Sequence, residues 1–110
     1  MIPTRCMVQA GQISDATQVQ LREDMKAFAK KSFGAEPFIH WVVVPENSGF
    51  TAGKPSTSVL VQMMSDRPLE TRERAELLNE LCDIWIKRTG KSIDEVVGVI
   101  ADPLGDQERQ

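Results

Sequence analysis

The sequence predicts an α/β fold in which two β-α-β units join into one four-stranded mixed sheet with two helices on one face. Three observations carry this. Apolar residues recur at helical spacing twice, as Leu21, Met25 and Phe28 and again as Leu78, Leu81 and Trp85. Each helical stretch lies between two short apolar runs of strand character. The same punctuation closes both halves: Gly34 and then Pro45 in the first, Gly90 and then Pro103 in the second. The chain therefore reads as a single domain over residues 1–110, with internal repeats at about 3–45 and 57–103.

The elements follow in order. An extended run covers residues 3–10, from Pro3 to Ala10, and Gly11 breaks it. Ser14 is placed to cap a helix that reaches Phe33, and Gly34 supplies the left-handed residue that ends it. Residues 38–44 are β-branched and aromatic, as a buried strand requires, and Pro45 stops them. Residues 46–57 form a loop or short ribbon able to reach a neighbouring subunit. Residues 59–64 are the next strand, and a helix runs over 71–89 with Thr71 at its N-cap and Gly90 beyond its end. The last strand, residues 96–100, is closed by Asp102-Pro103, and the polar tail from Leu104 to Gln110 is expected to fray.

If both helices lie on one face, the other face presents the apolar partners of strands 38–44 and 96–100. Such an area calls for covering by another subunit, in a closed ring. The 110-residue chain has a net charge of −3, with 26% charged and 41% apolar residues, which fits a soluble globular domain with no basic footprint for nucleic acid. No apolar run approaches the roughly 20 residues of a membrane span, and no signal segment is recognisable. Cys6 and Cys82 are far apart and in apolar company, so buried free thiols and a reducing, cytoplasmic setting are expected. There is no tyrosine, which removes any mechanism that needs a phenolic acid.

Several stretches, taken in order, resemble the tautomerase superfamily. These are Pro3 opening the first strand, Ser32-Phe33-Gly34, Val43-Val44-Pro45-Glu46 leading to Phe50-Thr51-Ala52-Gly53, Ser56-Thr57-Ser58-Val59-Leu60 running into Ser65-Asp66-Arg67-Pro68, and Asp94-Glu95-Val96. The likeness covers residues 3–103 and is to the members resembling macrophage migration inhibitory factor and malonate semialdehyde decarboxylase. It implies a homotrimer of doubled β-α-β subunits. It also implies a pocket around an N-terminal proline that moves a proton on a small 2-oxo, enol or unsaturated carboxylic acid, with no cofactor and no metal. Pro3 falls where the catalytic proline falls. Arg67 falls where the decarboxylase-like members bind a carboxylate, which makes it both an anchor and a stabiliser of the developing enolate. Phe38 falls where an aromatic wall lines the pocket, and Arg72, Arg5 and Lys54 are substitutes for a second carboxylate clamp.

Chemistry limits this carry-over. A free proline amine, near 7.7–8.0 unperturbed and lower in an apolar pocket, is a general base at neutral pH, but a proline nitrogen inside a peptide is an amide. Met1 and Ile2 precede Pro3, and an initiator methionine is not expected to leave before isoleucine. The alternative is a tautomerase-fold protein that keeps the pocket but acts in binding or assembly. Without that base, Pro3 is a proline opening an edge strand, where no N–H is needed. His40, the only histidine, is a further substrate-side residue and, with Asp66, a reserve acid or base. Trp41 and Trp85 read as core.

Overall fold

Alternation along the first strand sets the layering of the molecule. In the computed structural model, which describes Met1–Pro103, β1 (Ile2–Gln9) turns Ile2, Thr4, Cys6 and Val8 into the interior and Pro3, Arg5 and Met7 to the opposite side. The expectation for the tail, Leu104 to Gln110, lies outside the described residues. Next, α1 (Asp15–Phe33) crosses the interior side and buries Leu21, Met25, Phe28 and Ala29. Ser14 caps it as expected, its Oγ accepting from the Thr17 amide at 3.2 Å. Gly34, at φ 68°, ends it by donating its N–H to the Lys30 carbonyl. β2 (Pro37–Val44) then returns parallel to β1, with Ile39 and Trp41 packed toward the helices and Phe38, His40 and Val42 on the other side.

Residues 46–57 fold as a ribbon of β3 (Phe50–Thr51) and β4 (Lys54–Pro55). The buried Gln9 ties this ribbon down: its Oε1 accepts from the Asn47 amide at 2.9 Å and its Nε2 donates to the Ser56 carbonyl at 2.8 Å. β5 (Val59–Met64) pairs antiparallel with β1, α2 (Thr71–Thr89) crosses the interior side, and β6 (Val96–Ala101) returns parallel to β5. The sheet order is β2-β1-β5-β6, so the two β-α-β units meet along β1 and β5. Between sheet and helices lies the core, where Trp85 of α2 is fully buried and packs its ring 5.8 Å from that of Trp41.

Two local expectations are corrected. Thr71 is the first helical residue and not the cap. Leu69 is buried, with its amide held by Asp102 Oδ1 at 3.0 Å, so Glu70 is the last extended residue and caps the helix with no side-chain bond. The strand carrying Pro3 begins at Ile2 and is central, not an edge. The Ile2 amide donates to Glu36 and the Ala10 amide to Val44, so the backbone amides of even-numbered residues point to β2. The donor that Pro3 lacks therefore points toward β5, whose pairing with β1 starts only at Thr4 with Met63. A proline fits there without costing a ladder bond.

α2 approaches β6 closely at Gly98, where an added Cβ would stand 2.7 Å from Cys82 Sγ and 3.2 Å from Leu78 Cδ2. We expect Gly98→Ala to lower unfolding free energy by about 1–3 kcal/mol, the usual effect of overpacking. Urea denaturation measures this, and an unchanged midpoint would mean that α2 shifts at no cost.

A 3-10 turn, Ile93–Glu95, leads into β6. Glu95 accepts from the Ser92 amide at 3.1 Å and from Thr57 Oγ1 at 2.6 Å, joining this turn to the approach to β5. The Thr57 hydroxyl, then the Ser92 amide and hydroxyl, hold the Glu95 carboxyl down at about 2, from an ordinary 4.5. A depressed folded value means a stabilisation complete above about 4.5 and lost as pH falls toward about 2. Glu95→Gln should thus flatten the fall in stability between pH 4.5 and 2. Denaturation midpoints at pH 5 and pH 3 that fall equally in variant and wild type would remove Glu95 from the acid response.

Among the described residues no helix covers the other side of the sheet. β1 contributes Pro3, Arg5 and Met7 to it, β5 contributes Leu60, Gln62 and Met64, and β6 contributes Val97, Val99 and Ala101. Among the described residues no helix is long and apolar enough to cross a membrane.

Candidate functional site

Pro3 opens onto this bare face, in a depression of about 170 Å³ lined by Pro3, Arg5, Gln62 and Met64. Phe38 is its register partner on β2 and is 61% exposed. On the far side of Phe38 a second hollow, about 300 Å³, runs between α1 and β2 past Arg22, Lys26 and Glu36. His40 lies two register positions further along, opposite Arg5, and is exposed. Pro3, Phe38 and His40 thus share one surface, but neither Phe38 nor His40 lines the depression beside Pro3.

The state of the Pro3 nitrogen follows from Ile2. That side chain is 1% exposed and belongs to the core. Its amide donates to the Glu36 carbonyl at 2.8 Å, and its carbonyl accepts from Thr4 Oγ1 at 3.0 Å. The Ile2–Pro3 peptide is anchored on both sides, and with Ile2 in place the Pro3 nitrogen is an amide without basicity.

Arg67 occupies different surroundings. Its guanidinium meets Asp66 Oδ1 and Glu73 Oε2, each at 3.0 Å, approaches the Ser32 carbonyl at 3.4 Å, and lies 5.7 Å over the Phe33 ring. The hydrogen bond it donates to Glu73 first, and then that to Asp66, raises its pKa. Ser65 fixes the turn beneath it, donating to the Arg67 carbonyl and accepting from its amide. Arg67 sits at the end of the sheet where Pro3 lies, but its fork faces the end of α1 and already holds two carboxylates. Pro3's depression is lined by Arg5 and Gln62 instead.

In the sequence Arg5 is one of three substitutes for a second clamp, and Gln62 carries no signal of its own. The period of two along a strand could have ranked Arg5 higher, because residues 3 and 5 of one strand must share a face. Burial pushes the Cys6 thiol up to about 12 and raises that of Cys82 as well, which disfavours the thiolate at both.

No family model matches the sequence, and no curated protein does. The fold is nonetheless shared with solved structures. One is a fused 4-OT described as a wild-type symmetric trimer, at a TM-score of 0.79 and 16% identity over 92% of this chain and 85% of that one. A second is N1, a member of the cis-3-chloroacrylic acid dehalogenase family, at 0.81 and 12% over 96% and 77%. A third is a macrophage migration inhibitory factor-like protein from Entamoeba histolytica, at 0.69 and 16% over 96% and 90%. The helix pair, the order β2-β1-β5-β6 and these likenesses agree: the chain has the fold of the tautomerase superfamily.

Proposed function

We propose that this chain is a tautomerase-fold subunit of a homotrimer that works by binding and assembly, without proline-mediated proton transfer. The observation that carries this reading is the burial of Ile2: its peptide bond makes the Pro3 nitrogen an amide, and its seat in the core favours keeping that bond in place. The bare apolar face supports the trimer on physical grounds, and the symmetric trimer of the fused 4-OT is an analogous use of this fold. Light scattering of the purified chain at micromolar concentration tests assembly, and a monomer would defeat it. Intact mass together with phenylpyruvate-type and 2-hydroxymuconate-type tautomerase assays tests the chemistry. With Ile2 present in the mass, turnover should stay at background, and robust turnover would defeat this reading.

A second reading is favoured by one observation, the depression around Pro3 with a cation beside it. If proteolysis exposed the proline, it would act as general base on a small 2-oxo, enol or unsaturated acid. Phe38 and His40 would wall the site, and Arg67 would take the carboxylate after releasing Asp66 and Glu73. Arg67→Ala would then raise the dissociation constant of the acid in calorimetry, and equal affinity in both proteins would remove Arg67 from the site.

A further inference from the structure

Three polar side chains interrupt the bare face, and they stand in one row across it. His40 of β2 is the register partner of Arg5 of β1, and Arg5 is the register partner of Gln62 of β5. Apolar residues border the row on the same face, among them Phe38 and Val42 beside His40 and Leu60 and Met64 beside Gln62. None of the strand residues turned to this face is Asp or Glu. β1 meets His40 with Arg5 alone, while α1, on the interior side, brings Arg22 and Lys26 only to the hollow beyond Phe38, where Lys26 pairs with Glu36 at 3.5 Å. Neither His40 nor Arg5 takes part in an ion pair among the described residues. Neighbouring strands lie about 5 Å apart, so imidazole and guanidinium are next neighbours with no acid between them. A neutral imidazole has one nitrogen free to accept from a guanidinium, and the Gln62 carbonyl is an acceptor on the other flank. Protonation removes the first acceptor and sets a second cation beside Arg5. In water that repulsion is screened, but under a covering subunit it is not.

We propose that His40 and Arg5 make assembly of the trimer sensitive to pH: the subunits hold together while His40 is neutral and separate as it takes up a proton. The inference rests on the trimer proposed above. Imidazole is the one side chain whose ordinary titration falls between pH 5 and 8. Covering the face disfavours the imidazolium, through desolvation and through Arg5, so a separated subunit binds more protons than an assembled one. Association therefore weakens as pH falls through that range. Symmetry multiplies the effect, with one proton per subunit, and the logarithm of the association constant drops by up to about three for each pH unit. A tenfold penalty on each imidazolium amounts to about a thousandfold for the trimer.

Sedimentation equilibrium of the full chain at about pH 7.5 and about pH 5.5, at one ionic strength, tests this. Glu95, held at about 2, stays charged across that window. Wild type should associate more weakly at the lower pH by at least about a hundredfold. His40→Gln, neutral throughout, should associate equally at both. Arg5→Gln should still assemble and show a smaller drop, because the imidazolium then has no cation beside it. A wild-type trimer of equal strength at both pH values would overturn the inference and leave the trimer standing, whereas a protein monomeric at both would overturn trimer and switch together. An equal drop in wild type and His40→Gln would also overturn it, because another group would then be titrating. An undiminished drop in Arg5→Gln would remove Arg5 from the switch. Where separation unfolds the subunit, thermal midpoints replace sedimentation as the readout: the wild-type midpoint should fall between the two pH values, and that of His40→Gln should hold.

Discussion

A chain that begins at Pro3 is expected to be less stable than the full chain by about 3–6 kcal/mol and, where it remains folded, to gain a titratable amine at the bare face. The loss has two parts. Removing a fully buried isoleucine forfeits its transfer free energy and leaves a cavity beside the core, an effect of about 2–5 kcal/mol in core truncations. The ladder bond from the Ile2 amide to Glu36 adds about 1 kcal/mol. Domains of this size are stable by roughly 5–15 kcal/mol in all, so the deletion consumes a large share. Urea denaturation of the two chains gives the difference directly, and a neutral deletion would show that Ile2 does not anchor the strand. Tautomerase assays on the same protein separate the two functional readings. Activity that rises with a basic pH limb and vanishes in Pro3→Ala assigns the base to the new amine. A folded, inactive protein leaves binding as the function of this surface.

Most of the fold was legible because it follows from local physics. The stripe Leu21, Met25, Phe28 has a helical period, Gly34 and Gly90 end their helices in the left-handed region, and the β-branched run 38–44 is a strand. Even the covering problem could be foreseen, since helices on one side leave the other side of the sheet bare. What was not legible depends on strand order. Pro3 looks like an edge residue until β1 is seen between β2 and β5, and only then does the direction of its missing donor matter. The site shows the same limit. Family position singles out Arg67, yet position in sequence does not reveal that Asp66 and Glu73 fill its fork. Ile2 is likewise an ordinary apolar residue in the sequence, and only the structure shows it buried in the core while Met1 before it stays exposed.

Val97→Asp is expected to convert the proposed trimer to monomer while leaving the subunit folded. Val97 lies on β6, opposite Leu60 of β5, and is 47% exposed in the single subunit. Within one subunit the change costs little, because surface substitutions of this kind stay within about 0.5 kcal/mol apart from the lower strand propensity of aspartate. In the proposed trimer the same position would be desolvated, and a carboxylate transferred from water to apolar surroundings without a partner costs several kcal/mol. Each 1.4 kcal/mol is a factor of ten, so association should weaken by at least about a hundredfold per contact, and symmetry repeats the penalty in every subunit. Light scattering reads the assembly and urea denaturation reads the fold of the same sample. A trimer that survives Val97→Asp would move the interface away from the β6 side of the bare face, toward Phe38 and Val42 on β2. A variant that fails to fold as a monomer would mean that the subunit depends on its neighbours for stability, and the milder Val97→Thr, which keeps the β-branched shape, would then separate loss of assembly from loss of fold.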